Sequence, residues 1–243
     1  GASNQIANGA GKGNLIINSG NFTMGGFSET INGLSGNGTI DGNGATLTVG
    51  DNNTTSTFSG VIKNTAGNLA LTKNGTGTLT LSGNSTHTGA TTVNAGTLVF
   101  DTDVTLTGQV TNNQATLLFT SATGTNTLSS LTNNFGGSTI FTGASSVTNV
   151  INANGSTLQF NGSTIITGGL DNGTGSYVEI NAGGTINTLS GGGLTRINNV
   201  GVSINERFNN GQLEVNSSSS INRLFGNGRI TLSNATLWVN DGA

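Results

Sequence analysis

Residues 30–51 read TINGLSGNGTIDGNGATLTVGD and residues 220–241 read SINRLFGNGRITLSNATLWVND, an alignment without a gap in which twelve of 22 positions are identical. The shared positions include Ile31 with Ile221, Leu34 with Leu224, Asn37 with Asn227, Ile40 with Ile230, Leu47 with Leu237 and Val49 with Val239. They are mostly apolar positions and a Gly-Asn turn, so what recurs is a structural unit rather than a set of reactive groups. A degenerate third copy, TINTLSGGGL, runs from Thr185 to Leu194. Long-range self-similarity of this kind is the mark of a repeat architecture.

Turns punctuate the whole chain on either side of those copies. Asn-Gly or Asp-Gly starts at Asn8, Asn32, Asn37, Asp41, Asn43, Asn74, Asn154, Asn161, Asn172, Asn210, Asn227 and Asp241. Each pair can supply a positive φ at little cost. Between the turns lie short runs that alternate Leu, Ile, Val or Phe with Thr, Ser or Asn, such as Thr46–Val49, Thr78–Leu81, Thr97–Phe100, Thr157–Phe160 and Thr236–Val239. Such period-2 runs predict strands of about 3 to 5 residues with one face buried.

Composition points the same way. The 243 residues include 41 Gly, no Pro and no Cys, with 7% charged and 5% aromatic residues. Asn, Ser, Thr and Gly disfavour helix, while a disordered chain of this polarity would normally carry more charge and Pro. The expected fold is all-β: a single-stranded parallel β-helix, or β-solenoid, of about 11 coils at roughly 20 residues each, with residues 1–243 forming one segment. A lone coil could not fold, because the backbone entropy it loses exceeds what its few inward side chains return. Coil-on-coil hydrogen bonds, stacked side chains and Asn ladders at the corners must supply the rest.

A net charge of −3 with seven scattered Lys and Arg leaves no basic face for nucleic acid. No apolar run is long enough to cross a bilayer, so this segment is not expected to insert into a membrane. The chain starts at Gly1 without an initiator Met, which reads as a mature piece or an excerpt of a longer protein. The lack of Cys is compatible with export.

Residues 67–100 read GNLALTKNGTGTLTLSGNSTHTGATTVNAGTLVF and closely resemble the passenger-associated transport repeat of autotransporter proteins. The resemblance rests on Leu71-Thr72-Lys73, the strand and Ser-Gly of Thr78 to Gly83, the link Asn84 to Gly89, and Thr91 to Leu98. Two positions depart from the pattern: His87 stands where an aromatic residue is usual, and Ala90 where Gly is common. The resemblance implies a right-handed β-helix exported through the outer membrane of a Gram-negative bacterium, hence an extracellular or cell-surface location. A solenoid suits that route, since each coil can fold as it emerges without waiting for distant partners.

Candidates for chemistry are few. His87, the only histidine, has neither Cys nor a carboxylate pair beside it and reads as a solvent-facing or corner side chain. For glycan hydrolysis by two carboxylates, the available acids are Asp101 with Asp103, and Glu179 with Glu214, all expected on the surface. The pairs Thr46/Thr48, Thr78/Thr80 and Thr105/Thr107 suggest an ice-binding array, against which stand their uneven spacing and the outward Gln159, Glu179 and Trp238. Met24 and Trp238 read as packing or surface residues. No catalytic, cofactor-binding or metal residue is assigned, and no enzyme activity is expected. The expected role is an extracellular scaffold or adhesive fibre segment, with other cells, matrix glycans or identical rods as partners. A glycan-cleaving enzyme, a passive spacer and an end-to-end filament subunit are the alternatives.

Overall fold

A computed structural model describes residues 2–153, 155–209 and 211–240. The turns expected at Asn154, Asn210 and Asp241 lie outside the described residues. Within them there is no helix, and the chain winds as a parallel β-solenoid. Sheet 1 stacks twelve strands from Leu15–Ile17 to Arg229–Leu232, and sheet 2 stacks twelve from Glu29–Ile31 to Leu237–Val239. A third sheet of three strands, Asn21–Thr23, Thr39–Gly42 and Val61–Asn64, closes the first turns. The solenoid therefore has about 12 turns, slightly more than about 11 coils. Turn length varies from 17 residues, Tyr177 to Leu194, to 24 residues, Thr46 to Ala70.

Strand length departs from expectation on sheet 2. From Thr105–Asn113 to Thr164–Asn172 its strands reach nine or ten residues, as in Thr125–Asn134 and Ala144–Asn152. Register shifts between Leu106 and Gln109, Val147 and Val150, and Ile166 and Gly169 mark bulges in these ladders. A bulge bends a strand without ending it, so one long strand does the work of two short ones and a turn.

The core is a set of columns, one side chain per turn. On sheet 1, Leu79, Leu98 and Leu117 stack in one inward column, and Phe100, Phe119, Phe141 and Phe160 in the next. The four rings are parallel-stacked with centroids 5.3, 4.4 and 5.2 Å apart. Register forces this packing, because identical residues at equivalent positions of a parallel ladder must lie one above the other.

A second inward column on sheet 2 changes character along the rod, running Val49, Lys73, Val93, Asn112, Asn133, Asn152 and Asn172. The four Asn side chains are fully buried. Asn112 donates to Asn133 (2.9 Å), Asn133 to Asn152 (2.9 Å) and Asn152 to Asn172 (3.1 Å). Their amides also reach corner carbonyls, including Ala115, Gly137 and Ser156, adding a second hydrogen bond to the backbone N–H that each accepts from Ser138, Thr157 and Tyr177.

Glycine serves the corners in two ways. Gly75 takes φ +68°, the left-handed role that the Asn-Gly pattern suggests. Gly60 instead sits against the corner of the preceding turn, where a Cβ would collide with the Gly38 carbonyl oxygen. Small size, rather than a positive φ, makes glycine necessary there.

Candidate functional site

The repeat-like segment at 67–100 supplies two buried titratable groups. Lys73 is 1% exposed, and its Nζ donates to the carbonyls of Asn74 (2.6 Å), Gly75 (2.8 Å) and Ala95 (3.3 Å). Burial pulls its pKa down to about 8. It performs for its corner what the Asn side chains perform for later ones.

His87 is not a solvent-facing or corner side chain, as its sequence context suggested; it is fully buried. The Thr86 N–H bonds to the Ile62 carbonyl at 2.8 Å, which lays this segment along the strand Val61–Asn64 and turns Ser85 and His87 inward. The imidazole thus fills the slot for which an aromatic ring is usual. Its Nε2 lies 2.8 Å from Thr91 Oγ1, while Nδ1 has no partner among the described residues. Burial lowers its pKa to about 4, so the ring is neutral near pH 7.

The two acidic pairs fare differently. Asp101 accepts a hydrogen bond from Thr120 on the next turn (2.7 Å), whereas Asp103 lies against Gly124 with one buried oxygen unpartnered among the described residues. Glu179 and Glu214 are brought together on the outer face of sheet 1, in one column on either side of Arg196. Two rungs separate them, or about 9.6 Å. Arg196 makes a two-pronged contact with Glu214 Oε2, 2.7 Å from both Nε and Nη2, and its Nη1 donates to the Tyr177 hydroxyl at 3.0 Å. The guanidinium also lies 5.4 Å from the Tyr177 ring centroid.

Glu179 accepts from Asn198 (2.8 Å) and Gln159 (3.2 Å), and Glu214 also accepts from Gln212 (3.0 Å). Burial, then the neighbouring Glu179 carboxylate, pushes the Tyr177 phenol up, with Arg196 opposing. The bond to Glu214 foremost, then the Tyr177 oxygen, raises the Arg196 pKa. Beside this column runs a ladder in which Asn181, Asn198 and Asn216 each donate to the preceding Asn at 2.8 Å, beginning at Asn161. The result is a partly exposed grid of donors and acceptors with one aromatic ring. Positive charge gathers toward this end of the rod, where all four arginines, Arg196, Arg207, Arg223 and Arg229, occur. Among the described residues, no three His, Cys, Asp or Glu side chains group as metal ligands would.

The Thr-x-Thr pairs do not share a face: Thr78–Leu81 lies on sheet 1, while Thr46–Val49 and Thr105–Asn113 lie on sheet 2. Sheet 2 nevertheless carries a continuous outward ladder of Thr30, Thr48, Thr72, Thr92, Thr111 and Thr132, which sequence reasoning missed. Met24 is buried and Trp238 is half exposed.

The passenger-associated-transport-repeat family model matches residues 71–100. Comparison with curated proteins and with solved structures gave no match. The repeat and the parallel β-solenoid fit an autotransporter passenger domain, and the repeat family implies a secreted or surface-exposed protein.

Proposed function

We propose that the chain is a scaffold segment of a Gram-negative cell-surface or secreted passenger, carrying an adhesive face and no enzymatic activity. The observation that carries this reading is the outward column Gln159, Glu179, Arg196 and Glu214 with its neighbouring Asn ladder. In a chain with 7% charged residues, this column aligns charge with amides and a tyrosine on a rigid sheet. Such a face offers many modest contacts in fixed register, and its affinity grows with repetition rather than from one deep pocket. Other cells, matrix glycans or identical rods are the partners it suits.

The test is replacement of Glu179, Arg196 and Glu214 together by Thr in the exporting bacterium, with surface display checked by antibody. Attachment and cell–cell aggregation are expected to fall while display is unchanged. Unaltered attachment would leave the segment a spacer.

A glycan-cleaving reading draws on the same two glutamates beside Tyr177, since hydrolysis uses paired carboxylates. Arg196 stands between them, where a scissile bond would have to lie, and this favours binding over cleavage. Release of reducing ends from polysaccharide, abolished by Glu179→Gln or Glu214→Gln, would reverse the preference.

A further inference from the structure

Trp238 is the chain's only tryptophan, and it stands 54% exposed on the outer face of sheet 2. Ser203, Ser220 and Trp238 form one outward column on three successive strands. The segment at Val200, itself 63% exposed, makes a second wall. Between the two lies a groove of about 430 Å³ lined by Val200, Val202, Ser203, Ser218, Ser220 and Trp238 among others. No charged side chain lines it among the described residues.

That lining specifies its occupant. An indole face and the exposed Val200 side chain favour an apolar surface, while the serine hydroxyls favour a polar edge. A purely apolar group seated there would strip water from the hydroxyls and give nothing back. An anion would find no cation in the lining. A pyranose ring meets both requirements, because its axial C–H bonds make an apolar face and its hydroxyls lie around the rim. We propose that this groove binds a neutral pyranose unit of a glycan, stacked on Trp238 and hydrogen-bonded to Ser203 and Ser220. The inference does not rest on the proposed adhesive column, which lies on the other sheet, so either can fail alone. It also changes the reading of Trp238 from a surface residue to a binding platform.

Since no other tryptophan contributes, fluorescence emission reports this groove directly. The full chain is titrated with cellohexaose, xylohexaose and chitohexaose. At least one should give a saturable blue shift with a dissociation constant of about 1 mM, a strength that suits one stacked ring and a few hydrogen bonds. By calorimetry, Trp238→Ala should weaken that binding about tenfold or more, Trp238→Phe less, and Ser203→Val with Ser220→Val severalfold. Circular dichroism and the thermal midpoint should stay unchanged in all of them. The proposal is overturned if no sugar shifts the emission up to about 10 mM, or if Trp238→Ala binds as tightly as the parent chain. It is equally overturned if the groove takes anilinonaphthalene sulfonate but none of the sugars, the mark of an apolar docking surface.

Discussion

The Lys73 ammonium bonds to the Ala95 carbonyl at 3.3 Å, joining one turn of the solenoid to the next across a corner. With Asn74 and Gly75 it satisfies three carbonyls that no strand pairs. Lys73→Met would bury those acceptors without a donor and is expected to cost about 1–3 kcal/mol at pH 7 in denaturant unfolding. The sign of the pH effect follows from its pKa of about 8 in the fold against 10.5 unfolded. Between those values the unfolded chain holds more protons, so stability should rise as pH increases from 8 to 10.5, and the Met variant should lack that rise.

His87 carries the opposite exposure, to acid. Its folded pKa of about 4 lies below the unfolded 6.5, so protonation favours unfolding. The contribution of the neutral ring is intact above pH 6.5, is lost progressively below it, and is gone below about pH 4. The loss is on the order of 3 kcal/mol. His87→Phe restores the usual aromatic residue and should flatten acid unfolding over this window, although Thr91 then loses its partner. An acid transition identical in parent and variant would place the sensitivity elsewhere.

Inner and outer Asn ladders should differ sharply in weight. Asn152 is fully buried and joins Asn133 to Asn172. Asn152→Leu leaves the buried amides of both neighbours short of a partner, so a loss of about 2–4 kcal/mol is expected. The side chain of Asn216, at the exposed end of the outer ladder, donates only to Asn198 among the described residues. Replacing it by Ala should change stability by less than about 0.5 kcal/mol. Equilibrium unfolding of the two variants decides the contrast.

Phe141 packs between Phe119 and Phe160 with centroids 4.4 and 5.2 Å away. Phe141→Ala opens a gap that the rigid register of both neighbouring turns prevents from closing. A cost of about 3–5 kcal/mol is expected in the same measurement.

The matched segments explain how far sequence reading reached. Ile31 pairs with Val49 and Ile221 with Val239, so each copy is one complete turn that leaves sheet 2 and returns to it. The apolar pairs and the Gly-Asn turn were therefore legible as a unit, yet the route between them differs. Ile40 lies in the third sheet and its counterpart Ile230 in sheet 1. Sequence spacing also hid the threonine ladder, because Thr48 and Thr72 are 24 residues apart and Thr92 and Thr111 only 19, while all keep one register. The surplus residues are taken up away from sheet 2, where alternation alone leaves no trace. For the same reason His87, isolated among polar neighbours, gave no sign that its segment forms a buried wall of the coil. The approach of Glu179 and Glu214 was likewise invisible, since it depends on two exact turn lengths with Arg196 between them.

That column provides a variant that separates function from stability. Arg196 and Glu214 form a partly exposed ion pair, their side chains 36% and 22% accessible, and pairs of this kind contribute about 0–1 kcal/mol. Arg196→Met keeps an unbranched aliphatic side chain and removes the guanidinium fork that bonds to Glu214 and the Tyr177 hydroxyl. Thermal unfolding is expected to shift by a few degrees at most. Surface attachment should fall severalfold, and raising salt should mimic the substitution in the parent chain because exposed charges are screened. A variant that unfolds early yet attaches normally would make Arg196 a strut of the rod and leave the adhesive face elsewhere on it.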